Sequence, residues 1–255
     1  MNIRNRISYI FLHFEKIGII PTLSYFVQRV ILFKNAFIIL KLKGLPHHIY
    51  LRNRTYDTNI FYQIFIADEL ETKYNGSINN ILDLGANIGL STLFFLRKFP
   101  ETSIISVEPD VNNFKVLRKN TRNYENVKII NIGIYGKNCA LYLVDVGEGE
   151  ASYRVLEFSK GYRVINEINC IDISALKLRY GIEQLDIIKM DIEGSESSCL
   201  IDYSHDWLNH TKYLLVEIHE GLIPGLTKLI QKSIPTSFLY SKLNEYSIFY
   251  NHQKK

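Results

Sequence analysis

Short apolar runs alternate along this chain with longer mixed stretches in which apolar residues recur at helical spacing. Ile81, Leu82 and Leu84 form one run suited to a strand buried on both faces, and Leu90 to Leu96 suits a helix packed beside it. Ser103 to Val107 predicts a second strand. Val111 to Tyr124 predicts a second helix, with Asp110 near its start. Val127 to Ile134 predicts a third strand ending near Gly136. Leu141 to Val146, Gly147-Glu148-Gly149 and Ala151 to Val155 together read as a hairpin or an excursion over the site. Asp172 to Tyr180 predicts a helix stopped by Gly181. Leu185 to Met190 and Tyr213 to Ile218 predict a fourth and a fifth strand, and strand-like pieces follow at Thr236 to Tyr240 and Ser247 to Tyr250. Strands that alternate with helices imply an α/β fold: a doubly wound, mostly parallel sheet of Rossmann-like type, with its site at the strands' carboxyl ends.

The first run carries the most informative chemistry. It reads Ile81-Leu-Asp-Leu-Gly-Ala-Asn-Ile-Gly89, and Val107-Glu108-Pro109 closes the second strand. Asp83 lies in an apolar run where an unpaired charge is costly, so it is expected near the strand end, facing a polar ligand. Gly85 and Gly89, with Ala86 and Asn87 between them, let the backbone turn sharply and approach that ligand. Glu108 follows Gly89 by nineteen residues, where a carboxylate can accept two hydrogen bonds from a ribose diol. The spacing Gly-x-x-x-Gly differs from the Gly-x-Gly-x-x-Gly that sets a helix N-terminus against a pyrophosphate. An acid beside the turn suits an ammonium instead. S-adenosylmethionine has an ammonium and a ribose and no phosphate, so it is the expected cofactor, and a methyltransferase is the expected class.

Two further pieces fall on the same sheet edge. Lys189-Met-Asp191-Ile-Glu193-Gly-Ser-Glu196 follows the fourth strand, and Glu217-Ile-His219 ends the fifth. Asp191, Glu193 and His219 are expected on the acceptor side. His219 is the first choice of general base and Asp191 the second, because an alcohol is a weak nucleophile until its proton is removed. The plainer readings are a strand-end histidine for His219 and a helix first-turn acid for Glu196. A divalent metal held by Asp191, Glu217 and His219 is a less favoured alternative.

These segments resemble the FkbM-type methyltransferase family in Asp83-Leu-Gly-Ala-Asn-Ile-Gly-Leu-Ser-Thr92, Val107-Glu-Pro-Asp110, Ile188-Lys-Met-Asp-Ile-Glu-Gly-Ser-Glu196 and Glu217-Ile-His219. The resemblance covers about residues 50 to 220. Arg54-Thr-Tyr-Asp57 looks like the family's entry segment, with Tyr56 where the family usually has Ser. That likeness implies a cofactor-side role for Thr55 or Asp57. Pro109 falls with Glu108 in the matching text. The resemblance implies methylation, usually of a hydroxyl oxygen on a sugar or a secondary metabolite.

Composition changes this picture little. The 255 residues suffice for one α/β domain with an appendage, and 47% hydrophobic content supports a sizeable core. A net charge of +4 is mild, and no nucleic-acid partner is expected. Cys139, Cys170 and Cys199 lack metal-ligand spacing and suggest a reducing, cytoplasmic setting. No signal peptide or repeat is evident. Residues 1–49 read as a basic, largely helical extension before a methyltransferase domain at 50–255. Residues 1 to 43 hold seven Lys or Arg and one acid, Glu15. Their longest uncharged stretch, Ile17 to Gln28, contains Pro21 and is too short to span a bilayer. They form either a helical cap or an amphipathic surface that touches anionic membrane.

Three competing classes fit less well. An NAD-dependent oxidoreductase or epimerase lacks its glycine fingerprint, and Tyr180 has Gln184 where a Tyr-x-x-x-Lys pair needs lysine. A base methyltransferase would need prolines and an aromatic after the fourth strand, where Asp191-Ile-Glu-Gly194 stands. A non-catalytic scaffold has no reason to keep the cofactor turn.

Overall fold

The computed structural model describes residues 3–147, 153–157, 161–202, 206–220 and 223–254. Two helices come first, α1 (Ile3–Ile17) and α2 (Ile19–Ile31), divided at Gly18. A hairpin of β1 (Phe37–Leu40) and β2 (Ile49–Arg52) follows, then α3 (Asp57–Phe65). The alternating region comprises β3 (Asn80–Leu84), α4 (Leu90–Lys98), β4 (Ser103–Val107), α5 (Val111–Thr121) and β5 (Val127–Ile130). An inserted segment holds β6 (Gly133–Ile134), β7 (Cys139–Asp145), β8 (Arg154–Leu156) and β9 (Arg163–Ile171). The chain then continues through α6 (Ile173–Tyr180), β10 (Leu185–Met190), β11 (Thr211–Glu217), α7 (Leu226–Ser233), β12 (Phe238–Leu243) and β13 (Tyr246–Asn251).

Among the described residues the central sheet has the order β12-β13-β11-β10-β3-β4-β5. The strands from β11 to β5 are parallel, and β13 runs antiparallel between β11 and β12. The winding reverses between β3 and β10, and at such a reversal the strand carboxyl ends open a crevice. The doubly wound α/β expectation is therefore met, as are the expected β4 and β10 and both helix caps tested. Asp110 accepts from the amides of Asn112 and Asn113. Asp172 accepts from Ala175, and Gly181 stops α6 at φ 64°.

Side-chain alternation divides two cores across this sheet. Ile81, Ile187, Tyr213 and Leu215 join Phe94 and Phe95 on one face; Leu82, Leu84, Ile188, Met190 and Val216 pack on the other. The same period of two carries Asp83 and Lys189 to the α4 face.

The structure departs from the sequence pattern in two places, and meets it in part at a third. The strand expected over Val127 to Ile134 breaks after Ile130, and Gly133–Ile134 pairs with β9 in a second sheet. Asn131 causes the break: its Nδ2 donates to the carbonyls of Glu108 and Pro109, at 2.8 and 2.9 Å, and turns the chain off the sheet. The expected hairpin exists as β7 against β8, although residues 148–152 of its connection lie outside the described residues. Strand β9 carries the apolar Val164, Ile165, Ile168, Cys170 and Ile171, but Asn166, Glu167 and Asn169 between them break the strict alternation that would have announced a strand.

Candidate active site

At the crevice the chain makes two tight turns. After β3, Gly85 adopts φ 73° and its amide bonds the Val107 carbonyl. A Cβ at this position would collide with the carbonyl oxygen of Asp191, so only glycine lets the two strand ends approach this closely. Gly89 (φ 88°) opens α4 and packs against Leu117. After β10, Glu193 (φ 50°) and Gly194 (φ 98°) turn the second strand end. Asn87 also sits at φ 50°. Two non-glycine residues held in left-handed geometry at one crevice are the kind of strain that active sites keep.

Two clefts meet between these turns. One is lined by Glu108, Pro109, Asn113, Ile134 and Tyr153. The other, the roomier of the two, is lined by Tyr56, Gln63, Glu69, Lys189, Glu217 and Tyr246. Gly85, Asn87, Asp191 and Glu193 line both. Of the residues expected at the site, Ala86 also lines the second cleft.

Glu108 is 6% exposed; its two carboxylate oxygens accept from the amides of Asn87 and Asp110, each at 2.9 Å. Burial pushes its carboxyl up to about 7 against the pull of those amides. Each oxygen keeps a lone pair for a ligand. Asn87 Oδ1 is buried without a hydrogen-bond partner and stands at the junction of the clefts.

Asp83, Gly89 and Asp57 line neither cleft. Asp83 is fully buried; Oδ2 accepts from Ser91 (2.7 Å) and Thr92 (2.6 Å), while Oδ1 lies 3.7 Å from the Lys189 ammonium. Asp57 turns both oxygens to the Arg52 guanidinium, at 2.9 and 2.8 Å, and Thr55 bonds the Arg52 carbonyl. Arg52 also donates to Asn113, which lines the first cleft. Asp57 is thereby joined to the site through two intervening side chains.

His219 has carboxylates at both nitrogens. Nδ1 lies 2.8 Å from Oε1 of the buried Glu196, Nε2 lies 3.2 Å from Glu193, and Glu217 stands 3.9 Å away. Burial disfavours charge on the ring, but the bond to Glu196 and the charges of Glu196, Glu193 and Asp191 outweigh it, so His219 rises to about 10. Glu217 is pushed up to about 9, first by the charge of Asp191 and then by burial. Burial, then Asp191, lifts Glu193 to about 8. At neutral pH the imidazole is therefore a cation among acids. His219 lines neither cleft, and Glu193 stands between its ring and the cavity.

Sequence reasoning gave Lys189 no role. Its ammonium is buried, donates to the Gly85 carbonyl at 2.7 Å and lies 3.4 Å from Asp191. Burial opposes its charge, yet Asp191, Asp83 and Glu217 hold its pKa above the ordinary lysine value. A lysine following Ile187-Ile188 and preceding Met190 near the strand's carboxyl end was the available signal. Tyr246 had none: only the tertiary fold brings β13 beside β11.

The fold and the paired clefts define a class, an α/β enzyme that holds a nucleoside-bearing cofactor beside a second substrate. Residues 83–232 match the family model described as the methyltransferase FkbM domain, and the chain belongs to that family. It is thus a methyltransferase, and the family implies S-adenosylmethionine as methyl donor. Among curated proteins it is 24% identical over 163 residues to 2-O-methyltransferase NoeI of Sinorhizobium fredii, covering 56% of this chain and 67% of that one. It is 24% identical over 206 residues to methyltransferase sdnD of Sordaria araneosa, covering 66% and 80%. A solved methyltransferase structure from Pyrococcus furiosus aligns with a TM-score of 0.43 at 14% identity, covering 97% of this chain and 98% of that one.

Proposed function

We propose that this protein methylates a hydroxyl oxygen on a sugar or a small secondary metabolite, using S-adenosylmethionine. The meeting of two clefts at Gly85, Asn87, Asp191 and Glu193 carries the reading, because a transfer needs donor and acceptor in contact. The name of the NoeI relative, an O-methyltransferase, agrees with a hydroxyl acceptor.

The residues present fit the donor. Glu108 offers two oxygens to a ribose diol, with Pro109 beside it. The unpartnered Asn87 Oδ1 and the acidic wall suit an ammonium and a sulfonium. Gly85, Ala86 and Gly89 shape the cradle, while Asp83 and Asp57 hold it from behind. When bound, S-adenosylmethionine supplies a methyl carbon already activated by the sulfonium. Asp191 and Glu193 line the acceptor side, and one of this carboxylate pair, in its ionised form, accepts the hydroxyl proton as the oxygen becomes nucleophilic. His219 acts through Glu193, with Glu196 fixing the ring, so it is a positioning residue that sets how readily Glu193 takes a proton. Residues 1–49 are read as an appendage to the catalytic domain at 50–255.

A second reading rests on one observation: donor atoms of Asp191, Glu217 and His219 lie within 4.8 Å of one another. Two carboxylates and an imidazole suit a divalent ion that binds an acceptor diol. The Lys189 and His219 cations already neutralise this cluster, which favours the metal-free reading. Activity that survives strong chelation argues against the ion.

Calorimetric titration with S-adenosylhomocysteine, beside an NAD control, tests the donor. Glu108→Ala and Asn87→Ala are expected to weaken binding at least about tenfold. A folded wild-type protein that prefers NAD would sink the proposal. The acceptor is tested by comparing cellular glycans with and without the protein, and an unchanged methyl-sugar profile removes the glycan.

A further inference from the structure

The outward face of α2 is apolar without interruption. Ile19 (66% exposed), Ile20 (81%), Leu23, Val27, Val30 (75%) and Ile31 all point to solvent, and Phe33 (76%) continues the face beyond the helix. At 100° per residue the six helical positions fall within an arc of roughly 120°. The polar side chains of the helix lie elsewhere. Thr22 is buried against the Gly18 carbonyl, Gln28 bonds both Ser24 and the backbone of Ile39, and Arg29 bonds the Tyr25 hydroxyl. The inner face is already satisfied, because Tyr25 stacks on Phe61 and lies against His13. An exposed helix normally turns its apolar stripe inward. This one has apolar residues on both sides, and a patch of this kind marks an interaction surface.

We propose that this face docks on an anionic lipid surface. Charge selects that occupant. Residues 1 to 43 carry seven Lys or Arg against one acid, and Lys34 is exposed directly beside Phe33, with Lys43 exposed further along. An apolar helical face with cationic flanks is the pattern that seats a helix in the headgroup layer. A second copy of the chain would bring one basic face against another. No helix among the described residues is long and apolar enough to cross a membrane, so the contact is interfacial.

Helix α3 ties this face to the site. Its Tyr62 stacks on Tyr9 of α1 at 5.0 Å and its Phe61 lies under Tyr25 of α2, while Ile60, Gln63 and Ile64 line the second cleft. Docking therefore sets that cleft near the lipid surface. This consequence rests on reading the cleft as the acceptor side; the docking itself does not.

Sedimentation of the full chain with vesicles tests the proposal, comparing pure phosphatidylcholine with phosphatidylcholine containing phosphatidylglycerol. The protein is expected to pellet with the anionic vesicles and to be released by high salt. The double variant Ile20→Glu/Val27→Glu changes two exposed positions, so circular dichroism and thermal midpoint should stay as in wild type while vesicle partitioning falls roughly tenfold or more. Lys34→Glu is expected to lower it about fivefold. Wild-type protein that stays in the supernatant overturns the proposal, as does pelleting that the double variant leaves intact. Light scattering covers the other occupant: a dimer that the double variant dissociates, without vesicle binding, would assign the face to a second copy. Cofactor titration is read separately, so failure on vesicles leaves the methyltransferase reading standing.

Discussion

The Lys189 ammonium donates to the Gly85 carbonyl at 2.7 Å and so clamps the fourth parallel strand onto the glycine turn of the first. The same ammonium faces the buried Asp83, its register partner across the two strands, and the cleft-lining Asp191. Lys189→Met is expected to destabilise the fold by about 3–5 kcal/mol, because it leaves the Asp83 charge buried and unpaired. Adding Asp83→Asn should recover part of that loss. Urea denaturation of the two single variants and the double variant measures the coupling; strictly additive losses would contradict the pairing.

Gly85→Ala is expected to abolish cofactor binding and lower the thermal midpoint by several degrees. The added Cβ meets backbone, the carbonyl of Asp191, which has no flexible end to move aside. Differential scanning calorimetry with and without S-adenosylhomocysteine reads both effects. Ligand-induced stabilisation equal to wild type would show that the turn tolerates a methyl group.

Asp57 and Glu108 should separate cleanly. Asp57→Ala removes both carboxylate contacts of the half-buried Arg52, which keeps its bond to Asn113, and should cost about 3 kcal/mol of stability. At temperatures where the variant stays folded, its affinity for S-adenosylhomocysteine should remain within a few-fold of wild type. Glu108→Gln should do the reverse: affinity falls at least about tenfold while stability drops by only about 1–3 kcal/mol, the cost of one mismatched buried amide. Calorimetric titration beside thermal melts decides. Equal binding losses in both variants would return Asp57 to the cofactor.

Stability of the ligand-free protein is expected to fall as pH rises from about 5 to about 9. Glu69 and Glu108 are lifted to about 7, Glu193 to about 8, Glu217 to about 9 and His219 to about 10. Each raised group binds its proton more tightly folded than unfolded. The folded state therefore holds more protons across this window, and the stabilisation present at low pH is lost as each folded pKa is passed. His219→Gln should remove the histidine's own share of the slope, which lies above about pH 6.5, and leave the carboxyls' share. A melting temperature that climbs over the same range would contradict the protonation scheme.

Local pattern carried much of this molecule. Apolar runs bounded the parallel strands, Asp110 and Asp172 announced helix starts, and the glycine turn with Glu108 announced the donor side. Such features depend on backbone geometry within a few residues, which sequence records directly. The strand expected through Ile134 failed because Asn131 reaches back to Glu108 and Pro109, a contact invisible to periodicity. Strand β9 went unseen because its apolar residues do not alternate regularly, and its ladder with β7 is itself irregular between Leu143 and Val144.

By itself, then, the sequence determined the fold class, the crevice edge and the short list of acids and histidine around it. Tertiary structure decided their division of labour. Asp83 and Asp57 carry acceptor groups like those of Glu108, yet Ser91 and Thr92 take Oδ2 of Asp83 while its Oδ1 faces the Lys189 ammonium, and Arg52 takes both oxygens of Asp57; Glu108 keeps a place on the cleft wall. His219 received its Glu193 and Glu196 neighbours from a turn twenty-odd residues away. A side chain's chemistry is written in its residue type, but its protonation and its reach depend on what the folded chain places within a few ångströms of it.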